Sequence, residues 1–249
     1  MKLSIPTLLV FLAAYAGAQA VPRKDLPKFM GREVTITEPE KADADGFFPK
    51  GPASVCIEAP PKRQCYTAPE MFGNSPTVEL VQLTKDMPAL LFSAESPGVS
   101  GWGIHFALLR PGTGENLQDL LIADGSVSNQ SQHVMWNDSA ISDAPIFLTA
   151  DFIWGSDEGH YGEHRYVISA YVMKRASIAD DPTYYLEDRF MTLHRYDYEK
   201  VDILTSEKQE ILARLARVKA ETERQKRTRL VSIAFIRVHL RLGLLAATF

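Results

Sequence analysis

Short apolar runs with a period of two residues, separated by closely spaced turn residues, fill most of the chain beyond residue 54. The clearest are 102–108 and 146–154, where large apolar residues alternate with small or polar ones. This spacing places apolar side chains on one face of a β-strand, whereas a helix needs a spacing of three or four. The pattern predicts a mainly β protein, an antiparallel β-sandwich or a partly closed barrel, with a C-terminal α-helix.

Further strands are predicted at 166–173 and 184–196, with weaker candidates at 77–83, 89–94 and 132–136. Together these runs define an antiparallel β domain over 53–200. Proline and glycine are frequent in 21–52, a composition that favours an extended leader. On the 102–108 strand, His105 alternates away from the apolar face and could reach solvent, but a lone histidine on a strand is usually structural.

The N-terminus has the three parts of a secretory signal peptide. Lys2 supplies a positive charge, 5–15 is apolar, and Ala18-Gln19-Ala20 forms a small-x-small cleavage site. A transmembrane anchor is disfavoured because the apolar run is shorter than the ~20 residues that span a bilayer. We therefore expect a signal peptide over 1–20, cleavage near Ala20 and an extracytoplasmic protein, either periplasmic or secreted.

Cys56 and Cys65 are the two cysteines of the chain. Eight residues separate them, with Pro60-Pro61 at the centre, so that a hairpin would place the two thiols opposite each other. In an oxidising compartment this favours a local disulfide over two free thiols. The spacing excludes a redox Cys-x-x-Cys motif.

Charge is distributed unevenly along the chain. Residues 21–205 contain 27 acidic and 16 basic residues, whereas 206–249 contain 4 acidic and 10 basic ones. Helical spacing of Ile211, Leu215 and Val218, after a capping box of Ser206 and Gln209, predicts a basic helix within 203–229. The opposite signs favour attraction within one molecule or an anionic partner for the tail.

The last segment, 230–249, is apolar but contains Arg237, His239 and Arg241. Two arginines near the centre of a membrane span cost about 5–7 kcal/mol, which disfavours a transmembrane helix. Since Arg237 and Arg241 are four residues apart, they share one helical stripe, as in an amphipathic helix lying among lipid headgroups. The alternatives are a tail buried against the β domain and an atypical extension. The residues predicted to contact a membrane or a partner are Arg224, Lys226, Arg227, Arg229, Arg237 and Arg241.

One short motif could carry chemistry. His160-Tyr161-Gly162-Glu163-His164 has the pattern H-x-x-E-H. It resembles the motif of the inverzincin metallopeptidases over these five residues, which implies zinc ligands at His160 and His164 and a general base at Glu163. That motif lies on a helix, whereas here glycines and predicted strands surround it. A looser divalent metal site that adds Asp157 and Glu158 is a second alternative, and a solvated hairpin tip is a third.

Other motifs match poorly. Asp43-Ala44-Asp45-Gly46 resembles the start of an EF-hand loop, but Phe47 and Phe48 follow where an oxygen ligand and a glycine are needed. We therefore expect no calcium site there. An acidic exported protein is also a poor candidate for nucleic-acid binding.

The absence of a convincing catalytic motif favours a non-enzymatic binding or interaction module, held near an anionic membrane surface or an acidic protein partner by its basic C-terminus. The alternative is a metal-dependent hydrolase that uses His160, Glu163 and His164. A third metal ligand would then come from Glu187, Asp188 or His194.

Overall fold

A computed structural model describes residues 26–58, 62–97, 103–112, 114–121, 126–127, 132–153, 155–156, 158, 162–174, 182–197 and 200–246. The predicted signal peptide lies outside these residues. The described part contains twelve strands and two helices. The strands are β1 (Val34–Thr37), β2 (Ser54–Ile57), β3 (Gln64–Thr67), β4 (Asn74–Thr84), β5 (Met87–Glu95), β6 (Ile104–Pro111), β7 (Leu117–Asp119), β8 (Ser126–Val127), β9 (Gln132–Trp136), β10 (Ile146–Phe152), β11 (Tyr166–Lys174) and β12 (Thr183–Met191). The helices are α1 (Ile203–Ser206) and α2 (Lys208–Ala246).

The strands form three antiparallel sheets, and none of the sheets closes into a barrel. Their orders are β1-β2-β3, then β4-β5-β6-β7 with β8 beside β6, and β12-β11-β10-β9. Sequential strands are joined mostly as neighbours, as in meanders of short hairpins. The sandwich alternative and the C-terminal helix predicted from the sequence are confirmed.

The sheets stack as layers, with the helices on the outside. Leu90 and Phe92 of the central sheet pack toward β1–β3, and Leu91 packs with Phe147 of the third sheet. The other face of the third sheet, which carries Ile146 and Leu148, is covered by α1 and the start of α2. Both faces of two sheets are therefore buried, which explains why runs such as 89–92 are continuously apolar.

His105 does not reach solvent, in keeping with a structural role. His105 is only 9% exposed, because the face of β6 opposite Phe106 is covered by the three-stranded sheet. Alternation correctly assigned the two faces of this strand. It could not reveal that a second sheet covers the more polar face.

The segment 21–52 contains more structure than an extended leader. Strand β1 pairs with β2 over four residues, from Val34 opposite Ile57 to Thr37 opposite Ser54. Phe29, Val34 and Ile36 are buried in the first core cluster. The frequent prolines and glycines in this segment lie mostly in the loops around β1, which is short enough to escape a composition-based prediction.

The predicted disulfide is present. Cys56 and Cys65 are directly opposite each other in the β2–β3 pairing, and they are bonded. The bond fastens the outer sheet at its centre and is compatible with an extracytoplasmic compartment. Among the described residues there is no free cysteine.

The helical region begins earlier than the predicted capping box. Asp202 is the N-cap of α1, and its carboxylate accepts a hydrogen bond of 3.0 Å from the backbone N–H of Thr205. Ser206 instead ends α1, before α2 begins at Lys208. Asp, like Ser, is a preferred N-cap residue, so the sequence contained two plausible caps.

Candidate functional site

The described part of the H-x-x-E-H motif separates its residues rather than gathering them. The side chain of His164 is fully buried, whereas Glu163 is exposed. His164 is fixed through its backbone, which donates to and accepts from Tyr196 at 3.0 and 2.8 Å. Because the backbone here is extended, neighbouring side chains point to opposite faces. His160 lies outside the described residues.

Glu158 is the partner of His164 in this region. Its carboxylate is buried and lies 3.4 Å from Nδ1 of His164. It also accepts a hydrogen bond of 3.0 Å from the backbone N–H of Gly155, and it forms ion pairs with Nε of Arg165 at 3.2 Å and Nε of Arg195 at 3.3 Å. The loop is thereby attached to β11 and to the segment that follows β12.

The electrostatics of Glu158 follow from these contacts. Burial raises the pKa of the carboxyl, but the hydrogen bonds from Gly155, Arg165 and His164, together with the charge of Arg195, outweigh it and lower the pKa overall. The carboxylate is therefore ionised at neutral pH and balanced by two guanidinium groups. It acts as the centre of a structural charge network, and its oxygens are already occupied by donors.

The remaining metal-ligand candidates are placed apart. Glu187 pairs with Lys174, Asp188 pairs with Arg214, and His194 is exposed. Within the described ranges, no three His, Cys, Asp or Glu side chains converge closely enough to hold a metal ion; Asp157 and His160 are outside those ranges. At the described positions the geometry supports a structural role, in which Glu158 attaches its loop to the β domain.

A second polar cluster, which the sequence analysis did not identify, lies between the first two sheets. Nε2 of His105 shares a hydrogen bond of 2.7 Å with the hydroxyl of Tyr66 on β3. The two rings are stacked at 6.2 Å, and the ring of Phe72 lies 5.4 Å from His105. This bond satisfies polar groups that would otherwise be costly to bury.

Asp119 on β7 belongs to the same cluster, because its charge acts on the hydroxyl of Tyr66. Its carboxylate accepts hydrogen bonds of 2.9 Å from the backbone N–H groups of Leu108 and Leu121. Burial raises the pKa of Asp119 to about 6, although these two bonds oppose the shift. Burial lowers the pKa of His105 to about 4. The pKa of Tyr66 is raised, first by burial and then by the charge of Asp119.

In the sequence, only the predicted disulfide pointed to this region, because Tyr66 directly follows Cys65. At neutral pH the raised pKa of Tyr66 keeps its hydroxyl protonated, and the lowered pKa of His105 keeps its imidazole neutral. Their hydrogen bond and stacked rings join the packed faces of two sheets.

The base of α2 is firmly attached to the β domain. Ile211 and Leu215 are fully buried beside α1. Around them, the guanidinium of Arg214 lies 4.5 Å from the ring of Phe190 and pairs with Asp188. Lys208 lies 4.9 Å from the ring of Trp136. One salt bridge and two cation–π contacts thus attach the base to the third sheet.

Beyond this base the helix becomes exposed, and its first two turns border a groove against the β domain. Lys219 makes a hydrogen bond of 2.7 Å to the carbonyl of Ala140, and every residue from 219 to 228 is exposed. The helical backbone continues to Ala246, so that α2 is 39 residues long. We call residues 219–246 the arm. Its helix places Arg237 and Arg241 one turn apart, as predicted from their spacing.

Four of the six predicted contact residues precede the apolar part of the arm. Arg224, Lys226 and Arg227 are exposed, with Lys226 paired to Glu223 at 2.8 Å. The predicted boundary between a basic helix and a separate tail is absent from the backbone, because α2 runs through residues 229 and 230. In the part of the chain that the structure describes, no helix combines enough length and apolar character to span a bilayer.

Comparisons with protein-family models, with curated proteins and with solved structures find no match to this chain.

Proposed function

We propose that this protein is an exported, non-enzymatic interaction module that attaches to anionic membrane surfaces through the arm. The observation that carries the proposal is the exposed, basic course of α2 after Lys219. Neither of the polar clusters in the β domain presents a set of groups suited to catalysis. The arm is an exposed basic segment that no core cluster of the described residues includes, and we assign the membrane contact to it.

The length of the arm supports a role in contact. An isolated helix gains little stability from its backbone alone, and most helices depend on a packed face. Here the packed residues end near Leu215, and α2 continues for about thirty residues beyond it. Basic residues near a membrane that contains anionic lipids contribute about 1 kcal/mol each, and apolar residues add burial in the headgroup layer.

Vesicle flotation tests this proposal. A chain beginning at Val21 is mixed with vesicles of neutral phosphatidylcholine, or with vesicles that also contain phosphatidylglycerol. We expect flotation with the anionic vesicles, loss of flotation when residues 225–249 are removed, and weakening by salt because exposed charges are screened.

A charge-matched pair of variants isolates the arm. Reversing Arg224, Lys226, Arg227 and Arg229 to Glu is expected to reduce vesicle binding at least tenfold. The control reverses four exposed lysines of the β domain, Lys28, Lys62, Lys85 and Lys200, with the same change in net charge. Equal loss in both variants would show that only net charge matters, and equal recovery of the full and shortened chains would remove the arm from the mechanism.

A further inference from the structure

Two phenylalanine side chains are exposed on a loop whose backbone is held by hydrogen bonds. Phe47 is 43% exposed and Phe48 is 49% exposed. The carboxylate of Asp43 accepts hydrogen bonds from both of their backbone N–H groups, at 3.0 and 2.6 Å. The side-chain amide of Asn74 donates to the carbonyl of Phe47 at 3.0 Å. A contact made by such a preorganised loop loses little conformational entropy.

The loop belongs to one end of the outer sheet. It joins the end of β1 to the start of β2, and the turn after β3 lies at the same end because the strands are antiparallel. That turn carries Met71, which is 63% exposed. Its neighbour Phe72 accepts a hydrogen bond of 2.8 Å from the backbone of Ala53. We call residues 38–50 with Glu70 and Met71 the acidic aromatic loop.

The charge of this surface is negative. Lys41 pairs with Glu38 at 3.0 Å and Lys50 pairs with Glu40 at 2.7 Å, so that the charges of both lysines are neutralised. Three further carboxylates, on Asp43, Asp45 and Glu70, leave an excess of negative charge. Hydrogen bonding from the backbone of Phe48 lowers the pKa of Asp43 and keeps it ionised.

The arm has the complementary composition. Residues 219–246 contain seven basic and two acidic residues, and the part after residue 229 is mostly apolar. Aromatic and methionine side chains are enriched in protein interfaces, and opposite charges around them orient the partners. A basic, apolar helix is therefore a suitable occupant for exposed phenylalanines surrounded by carboxylates.

The base of α2 in the same molecule is remote from this surface. The base of α2 packs on the outer face of the third sheet, whereas the acidic aromatic loop belongs to the first sheet. Packed layers are about 10 Å apart, so three spacings separate the two by about 30 Å.

We propose that, in the absence of a membrane, the arm of one copy docks on the acidic aromatic loop of a second copy. This inference rests on the proposed function, since it gives the same arm a protein partner. Two copies related by a two-fold axis exchange arms reciprocally, so that each loop and each arm is used once. An anionic membrane then competes with the loop for the arm.

Size-exclusion chromatography with light scattering tests the pairing on the chain beginning at Val21. We expect a dimer at high protein concentration that dissociates on dilution and in high salt. The double variant Phe47→Ser/Phe48→Ser and the variant Asp45→Lys are each expected to weaken dimerisation at least tenfold. Their side chains are exposed, and Asp43, which holds the loop, is left intact.

The control variant Leu80→Ser/Leu193→Ser removes two exposed leucines elsewhere, at 49% and 89% exposure, and should dimerise normally. Removal of residues 225–249 should give a monomer. A monomer at every concentration would overturn the proposal, as would a dimer that needs the arm but tolerates the loop variants, which would indicate pairing between arms. At protein concentrations below that of dimerisation, flotation of the loop variants on anionic vesicles should be unchanged, so that the two proposals fail separately.

Discussion

The hydroxyl of Tyr66 and Nε2 of His105 share a hydrogen bond of 2.7 Å that joins the outer sheet to the central sheet. We expect Tyr66→Phe to lower the free energy of unfolding by about 1–3 kcal/mol, because it keeps the ring but leaves the imidazole nitrogen without its partner. Chemical denaturation measures this loss. In Tyr185→Phe, which alters an exposed tyrosine of β12, the change should be within about 0.5 kcal/mol. Similar values for both variants would contradict an energetic role for the bond.

His105 and Asp119 should have opposite effects on the pH dependence of stability. The pKa of His105 is lowered to about 4, so between pH 4 and about 6.5 the unfolded chain holds a proton that the folded chain lacks. The free energy of unfolding then rises with pH. The pKa of Asp119 is raised to about 6, so between about pH 4 and 6 the folded chain holds the extra proton, and the free energy of unfolding falls with pH.

These two effects cancel between about pH 4 and 6 in the natural chain. We expect Asp119→Asn, whose amide oxygen can still accept both backbone bonds, to make the free energy of unfolding rise more steeply with pH in this window. His105→Gln should make it rise less steeply or fall. Denaturation at half-unit pH steps gives the slopes, whose difference from the natural chain is limited to about 1.4 kcal/mol per pH unit for one proton. Parallel curves for all three proteins would contradict these assignments.

The alternation of apolar and polar residues predicted those strands that are long enough to show this pattern. Strands β10 and β11 follow the predicted runs closely, whereas β1 and β7 have four and three residues and carry almost no period. The layered stacking was not predictable from one strand at a time, because covering both faces of the central sheet depends on a separate sheet. The burial of His105 is the direct consequence.

Prediction of the candidate sites from the sequence was limited in the same way. The spacing of His160, Glu163 and His164 indicated chemistry, but His164 is buried by pairing with Glu158 outside the motif and with the distant Tyr196. Local residue types identify a motif, whereas long-range pairing determines which side chains are buried. The helix of the arm, by contrast, depends on contacts between residues that are close in the sequence. The spacing of residues was therefore enough to predict a helical backbone there.

Glu158 should be important for stability although its neighbour Glu163 is not. We expect Glu158→Gln to lower the melting temperature, because a neutral amide no longer balances Arg165 and Arg195. Glu163→Gln, which changes an exposed side chain of the same loop, should leave the melting temperature unchanged. Differential scanning calorimetry compares the two. A larger effect at Glu163 would mean that the exposed glutamate, rather than the buried network, matters in this loop.

The arm from residue 225 onward should contribute little to the stability of the β domain. Its residues from 219 to 228 are exposed, while Leu215 at the base is fully buried. Removing residues 225–249 is therefore expected to change the free energy of unfolding by less than about 0.5 kcal/mol, whereas Leu215→Ala should cost about 2–5 kcal/mol through the cavity it leaves. Urea denaturation at low protein concentration, where self-association is absent, separates the two. A large loss on shortening would mean that the arm packs on its own domain and is not available to a membrane or a second copy.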